Sequence, residues 1–372
     1  MYYNIIAPYF FISSSRCFHL NNITGDGISL VKVVQEMFTN AKTGLPLSSD
    51  TSAGNPNLSK KFQIRRSPLQ WVSQSITAVA NIVPLPIGSF DDLTSFRRGG
   101  KGKELINPNT MTFPAKQAII YFVPTALDFV KRLKTAASSA DNGNKKVTVN
   151  DVLFTVISQA IHDFLKEEDD PILELKKEQL RCRTLLPIAL PRPNTEDKSK
   201  AMKNVWCFIS CDLSIGVNNV LERLWVIHEN LADLKRGLVP IVSSLLSTLV
   251  MKLPRLISRD QTLNLFARHS MVLSNVPGPP EPVSFANHEI RSVHMIHMNI
   301  IPQLSFLSYR GTIFSNAIIG IEGDEEDAMT RRRRERLPLH VSNAFVMLAS
   351  ELKVPDVPEN ILDHASRLSI SK

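Results

Sequence analysis

Residues 147–165 read "VTVNDVLFTVISQAIHDFL", the most regular stretch of the chain. Val149, Val152, Leu153, Val156, Ile157, Ala160, Ile161 and Phe164 recur three and four apart, so on a helix they form one unbroken apolar stripe. Thr148 and Asp151 precede that stripe at the spacing of a capping box. Around this helix the pattern alternates. "QAIIYFV" (117–123) reads as a strand and 125–137 as a helix; "RCRTLLPIAL" (181–190) and "VWCFISCDL" (205–213) read as strands. A helix over 218–235 then carries Leu221, Leu224, Trp225, His228 and Leu231 on one face. Strands follow at "HSMVLSNV" (269–276), "IRSVHMIHM" (290–298), "LSFLSY" (304–309) and "TIFSNAIIGIE" (312–322), with a last helix near 341–352. Mixed strands and helices joined by long crossovers predict α/β layers.

The front of the chain is less regular. Residues 4–12 and 16–20 read as strands, and Ser29 caps a helix bearing Leu30, Val33, Val34, Met37 and Phe38. Residues 41–66 and 84–114 are rich in Pro, Gly, Ser, Asn and charge, and they flank a helix over 67–81. Two long irregular connections are expected to cross between domains or to cover a site.

At 372 residues the chain is long enough for two domains of ordinary size. Its 43% hydrophobic and 21% charged residues are those of a globular protein. The net charge of +8 favours an anionic partner. Aromatics are not interleaved with the basic residues, which argues against nucleic acid. Cys17, Cys182, Cys207 and Cys211 contain no C-x-x-C pair. Four residues of strand would hold Cys207 and Cys211 roughly 13 Å apart, so reduced core thiols in the cytosol are expected. His294 and His297, three apart on a strand, point to opposite faces and make a poor metal pair. "LVPIVSSLLSTLVMKLPRLIS" (238–258) is interrupted by Lys252, Pro254 and Arg255, so it predicts a buried or interfacial helix and no membrane span. "NIIAPYFFI" near the start lacks the flanks of a signal peptide. "FRRGGKGKE" (96–104) reads as a mobile basic loop or a cradle for phosphates. "RRRRER" (331–336), after "EGDEEDAMT", reads as a solvated insertion, an attraction for anionic lipid, or an import signal.

The stretch "FHLNNITGDGISLVKVV" (18–34) brings these pieces together. "NNITGDG" resembles the His-His-x-x-x-Asp-Gly signature of the chloramphenicol-acetyltransferase-like superfamily, with Asn22 at the position of the second histidine. "VTVNDVLFTVISQAIHDFL", "LLPIALPRP" (185–193), "SNVPGPPEPVSF" (274–285) and "SYRGTIFSNAIIGIEGD" (308–324) resemble, in order and spacing, the wax ester synthase/diacylglycerol acyltransferase family. The resemblance covers about residues 18–353. It implies a two-domain fold of mixed sheet and helices, with residues 1–115 the remnant of an incomplete first domain and 116–372 the second. Family members hold a longer segment before the signature. An incomplete gene product would explain a short front and an altered signature together.

The resemblance further implies transfer of a fatty acyl group from acyl-CoA, as co-substrate, to a long-chain alcohol or diacylglycerol, with no other cofactor and no metal. Such an enzyme would work peripherally on the cytoplasmic face of the endoplasmic reticulum or plasma membrane. The family's second histidine takes the proton of the attacking hydroxyl. The carboxamide of Asn22 has no basic nitrogen to do so, which opens the alternative of a lipid- or CoA-binding member without chemistry. Asp26 holds the signature loop and Gly27 allows its tight turn. Asn150 and Asp151 match the family's Asn-Asp pair, as helix cap or substrate contact. Ser274, Asn275 and Pro277 match its "SNVPGP" turn, and Ser308, with Tyr309, its Ser-Tyr pair, each as site lining or as packing.

Overall fold

The computed structural model describes residues 9–12, 16–19, 38–45, 114–140, 145–174, 180, 182–189, 206–236, 263, 266–285, 288–296, 299–321 and 328–370. Thirteen strands fall in these segments. They are β1 (Tyr9–Ile12), β2 (Arg16–His19), β3 (Thr39–Asn40), β4 (Lys116–Tyr121), β5 (Thr125–Ala126), β6 (Arg183–Ala189), β7 (Trp206–Asp212), β8 (Met271–Pro277), β9 (Val283–Phe285), β10 (His288–Glu289), β11 (Val293–Ile296), β12 (Gln303–Tyr309) and β13 (Thr312–Ile321). The helices are α1 (Leu127–Ala140), α2 (Val149–Glu167), α3 (Val220–Arg236), α4 (Ala328–Glu351) and α5 (Glu359–Ile370).

The main sheet has the order β4-β13-β12-β8-β6-β7, with β5 beside β13. It is mixed, as expected for this fold class: β6, β8 and β12 run parallel, whereas β7, β13 and β4 join antiparallel. Two small sheets, β11-β1-β2 and β10-β9-β3, join early strands to late ones.

Alternation along the strands decides what each face of the main sheet meets. Met271 and Leu273 of β8, Leu304 and Phe306 of β12, and Ile313, Ala317 and Ile319 of β13 share one large core with the helices. From the other face Leu307, Tyr309 and Phe314 pack with Phe38, Val283, Ile290 and Met295. On that same face Leu185 and Val272 pack with Leu263 and Ile301. A sheet covered on both sides needs apolar residues at successive positions, which explains why its strands read as near-continuous apolar runs.

The helix α2 is buried on more than its stripe. Phe154, Thr155, Ser158 and Gln159 are enclosed too, because α1, α3 and α4 all pack against it. Its capping box forms as predicted: Asp151 N–H donates to Thr148 Oγ1, and Thr148 N–H donates to Asp151 Oδ2 at 2.7 Å. Cys182, Cys207 and Cys211 are buried, and burial pushes the Cys207 thiol up to about 11. The 238–258 and 96–104 segments lie outside the described residues. Among the described residues no helix is long and apolar enough to cross a membrane.

The 331–336 run differs from expectation. It forms the first turns of α4, which starts well before residue 341 and carries Pro338 inside it. The reason is the end of α2. Arg336 forks onto both Glu167 oxygens at 2.6 and 2.9 Å, Arg332 donates to Glu167 and Glu168, and His340 donates Nε2–H to Glu167 at 2.6 Å. Glu167 thus joins three side chains from three successive turns of α4 to the C-terminus of α2. Helix α5, unforeseen in the sequence, packs along α4 and is tied to it by Ser342 and His364, 3.0 Å apart.

Two outcomes follow from this packing. Glycine is required at 278, where a Cβ would stand 2.3 Å from the Ser308 carbonyl oxygen. Gly278→Ala therefore pushes β8 from β12 and costs about 3 kcal/mol in urea unfolding, the upper end of overpacking effects. Partial burial works to raise the Glu167 pKa, but hydrogen bonds from Arg336 and His340 outweigh it and hold the carboxyl below its ordinary 4.5. A depressed carboxyl stabilises fully above that ordinary value and loses the contribution as pH falls through the folded value. Glu167→Gln costs about 1 kcal/mol near neutral pH, allowing for the solvent that still reaches the carboxylate. The gap between wild type and variant closes as unfolding is measured at pH values progressively below 4.5.

Candidate functional site

The expected site residues separate into three groups. Asn22, Asp26 and Gly27 lie outside the described residues. Asn150, Asp151, Asn275, Pro277 and Ser308 meet at one place. Ser274 faces the other way.

The meeting place is where α2 begins and the parallel strands β8 and β12 end. Ligands in α/β sheets commonly bind beyond the carboxyl ends of parallel strands, near a helix N-terminus. Asn275 Nδ2 donates to Asn150 Oδ1 at 2.6 Å, closing a contact between residues 125 apart in sequence. Both are half-buried. Pro277 lies opposite Ser308 in the parallel register, and Gly278 N–H donates to the Ser308 carbonyl at 2.9 Å. Asp151, 1% exposed, does more than cap: its Oδ2 also meets Nδ1 of His228 on α3 at 2.8 Å. The carboxylate thereby satisfies the positive end of α2 and orients an imidazole. His228 stood in the sequence as a member of an apolar helix face, and nothing in its spacing pointed to Asp151, 77 residues away.

Tyr309 is packing. Its hydroxyl donates to Ile290 O at 2.7 Å and accepts from Val283 N–H at 3.0 Å, pinning the turn around β9 and β10.

The opposite face of the main sheet carries a second polar group. Register places Ser274 beside Ser305, Ser305 beside Asn316, and Asn316 beside Tyr121, one residue from each of four adjacent strands. This row lies between the two apolar clusters of that face, for its neighbours on one side are Val276, Leu307 and Phe314 and on the other Val272, Gln303 and Ile318. Ser305 is 1% exposed and accepts from Gln303 Nε2 at 3.3 Å. Asn316 is wholly buried, and among the described residues neither its Nδ2 nor its Oδ1 has a hydrogen-bond partner. Tyr121, on the edge strand, is 48% exposed. Above it lies His294 of β11, its ring 4.9 Å from that of Tyr121 and 5.3 Å from that of Phe314, edge-on to both. Its Nδ1 is buried without a partner among the described residues, and burial draws its pKa below the usual 6.5. His297 lies outside the described residues. Among the described residues no group of His, Cys, Asp and Glu is placed to hold a metal ion.

Three comparisons bear on this arrangement. No curated protein sequence matches the chain. A wax ester synthase/diacylglycerol acyltransferase from Marinobacter aquaeolei VT8 is similar at 14% identity, over 90% of this chain and 67% of that one, with a TM-score of 0.49. The TRI3 trichothecene 15-O-acetyltransferase from Fusarium sporotrichioides is similar at 11% identity, over 92% of this chain and 70% of that one, with a TM-score of 0.50, and so shares the fold. The model of the WS/DGAT C-terminal domain matches residues 203–325, the stretch from β7 through β13 that supplies Ser274, Asn275, Pro277, Ser308, His294 and Asn316. Residues 203–325 thus match the C-terminal domain of the wax ester synthase/diacylglycerol acyltransferase family, which is an acyltransferase family.

Proposed function

We propose that the chain is an O-acyltransferase that moves a fatty acyl group from acyl-CoA to a long-chain alcohol or diacylglycerol at a membrane surface. The observation that carries this reading is the WS/DGAT C-terminal domain over residues 203–325. Residues 1–115 would belong to the first domain and 116–372 to the second. Asn150, Asn275, Pro277 and Ser308, gathered where α2 begins and β8 and β12 end, would line the substrate path, with Asp151 and His228 bracing it.

An aliphatic hydroxyl attacks a thioester slowly unless a neighbouring group accepts its proton as the bond forms. Asn22, where the family places that acceptor, orients by hydrogen bonding alone. A second reading, binding of acyl-CoA or lipid without turnover, is favoured by this residue. Loss of a general base costs about 10²–10⁴ in rate. Release of free CoA from a long-chain acyl-CoA, followed in parallel with hexadecanol and with diacylglycerol, separates the two. The expected result is slow ester formation by the unmodified chain and at least about 10²-fold faster formation by Asn22→His. Saturable acyl-CoA binding with no ester from either protein would overturn catalysis in favour of binding.

A further inference from the structure

The polar row on the far side of the sheet has no evident use in folding. Val276, Leu307 and Phe314 flank it on one side and Val272, Gln303 and Ile318 on the other, and a fully buried carboxamide with no partner among the described residues for either polar atom destabilises the folded state by the whole cost of its lost hydration. A ligand that supplies the missing partners accounts for such a group by giving it a catalytic or binding role. Register fixes what surrounds it. Asn316 faces Tyr121 across the β13–β4 pair and lies two residues from Phe314 on the same strand face. His294 touches both of those rings, so its imidazole stands over the corner next to Asn316. The row reaches solvent through Tyr121 and runs inward to Ser305 and Ser274.

We infer that this row is a reaction subsite for an acyl thioester and a hydroxyl acceptor, in which His294 accepts the proton and Asn316 Nδ2 donates to the carbonyl oxygen. The inference rests on the acyl-transfer reading and supplies the proton acceptor that Asn22 lacks. The step balances. The acceptor's O–H proton passes to a ring nitrogen of His294 as its oxygen bonds the thioester carbon. The carbonyl electron pair moves to the oxygen held by Asn316, then returns as the C–S bond breaks. The thiolate takes the proton back from His294, leaving ester and free thiol. Two features suit His294 to this role: burial favours the neutral form that accepts a proton, and no hydrogen bond occupies its Nδ1. Donors aimed at a developing oxyanion in a dry site are worth more than in water, which suits the amide of Asn316.

The test uses the full chain, a long-chain acyl-CoA and hexadecanol, with folding followed by circular dichroism. His294→Gln is expected to lower kcat at least about 10²-fold while KM for acyl-CoA stays within about twofold. The turnover lost in His294→Ala should be restored in part by added imidazole, which a packing role would not allow. Asn316→Leu keeps the side-chain size and removes the unpartnered polar atoms. It should raise the melting temperature by about 2 °C and lower kcat about 10²-fold. If the unmodified chain turns over and His294→Gln matches it, the subsite is wrong and acyl transfer stands. If only Asn22→His turns over, the subsite is again wrong and the family chemistry stands. If neither protein forms ester, both readings fall.

Discussion

The close approach of β8 to β12 fixes the geometry on which both polar groups depend. A backbone amide of Gly278 meets the Ser308 carbonyl where a Cβ would not fit. This contact sets the parallel register, with Ser274 beside Ser305, Asn275 beside Phe306 and Pro277 beside Ser308. Because side chains alternate, the same register sends Asn275 toward α2 and Ser274 toward the opposite face. A slip of one residue would exchange the two. It would leave Asn150 without its amide partner and carry Asn275 into the row that ends at Tyr121.

The helix layer serves as the rigid side of this arrangement. Its hydrogen bonds cluster at the two ends of α2. At the N-terminus one carboxylate, Asp151, serves both the cap and His228; at the C-terminus another, Glu167, gathers Arg332, Arg336 and His340 of α4. Asp151 compensates the end of the helix whose N–H groups have no intrahelical partner, Glu167 draws cations to the negative end, and each ties α2 to a different neighbour. Between the ends, Ser158 and His162 bond the carbonyls of Leu213 and Ile215, and the rest of α2 packs on apolar neighbours. The beginning of α2, where Asn150 stands, is therefore held from three directions.

Legibility in the sequence followed the range of the interactions. The capped helix α2 was readable because its period and its Thr148–Asp151 pair are local. The main strands were readable because each is an apolar run bounded by turn residues. The start of α4 was not, since four consecutive arginines have no apolar period and their carboxylate partners lie more than 160 residues away. Nor was the division of Ser274 from Asn275, for adjacent residues in one turn read as one site until a strand assigns them opposite faces. In the sequence Asn316 reads as one polar residue in an apolar run, and His294 as half of a poor metal pair. Their juxtaposition arises from cross-strand register and from β11 packing over the sheet, neither of which a linear pattern records.

The three buried cysteines have a consequence of another kind. Cys182, Cys207 and Cys211 belong to the core that the helices close, and a thiol held near 11 carries almost no thiolate at neutral pH. Alkylating reagents and mild oxidants should therefore pass them by in the native molecule. Modification at Cys207 would instead act as a clock, advancing only when the helices lift from β7.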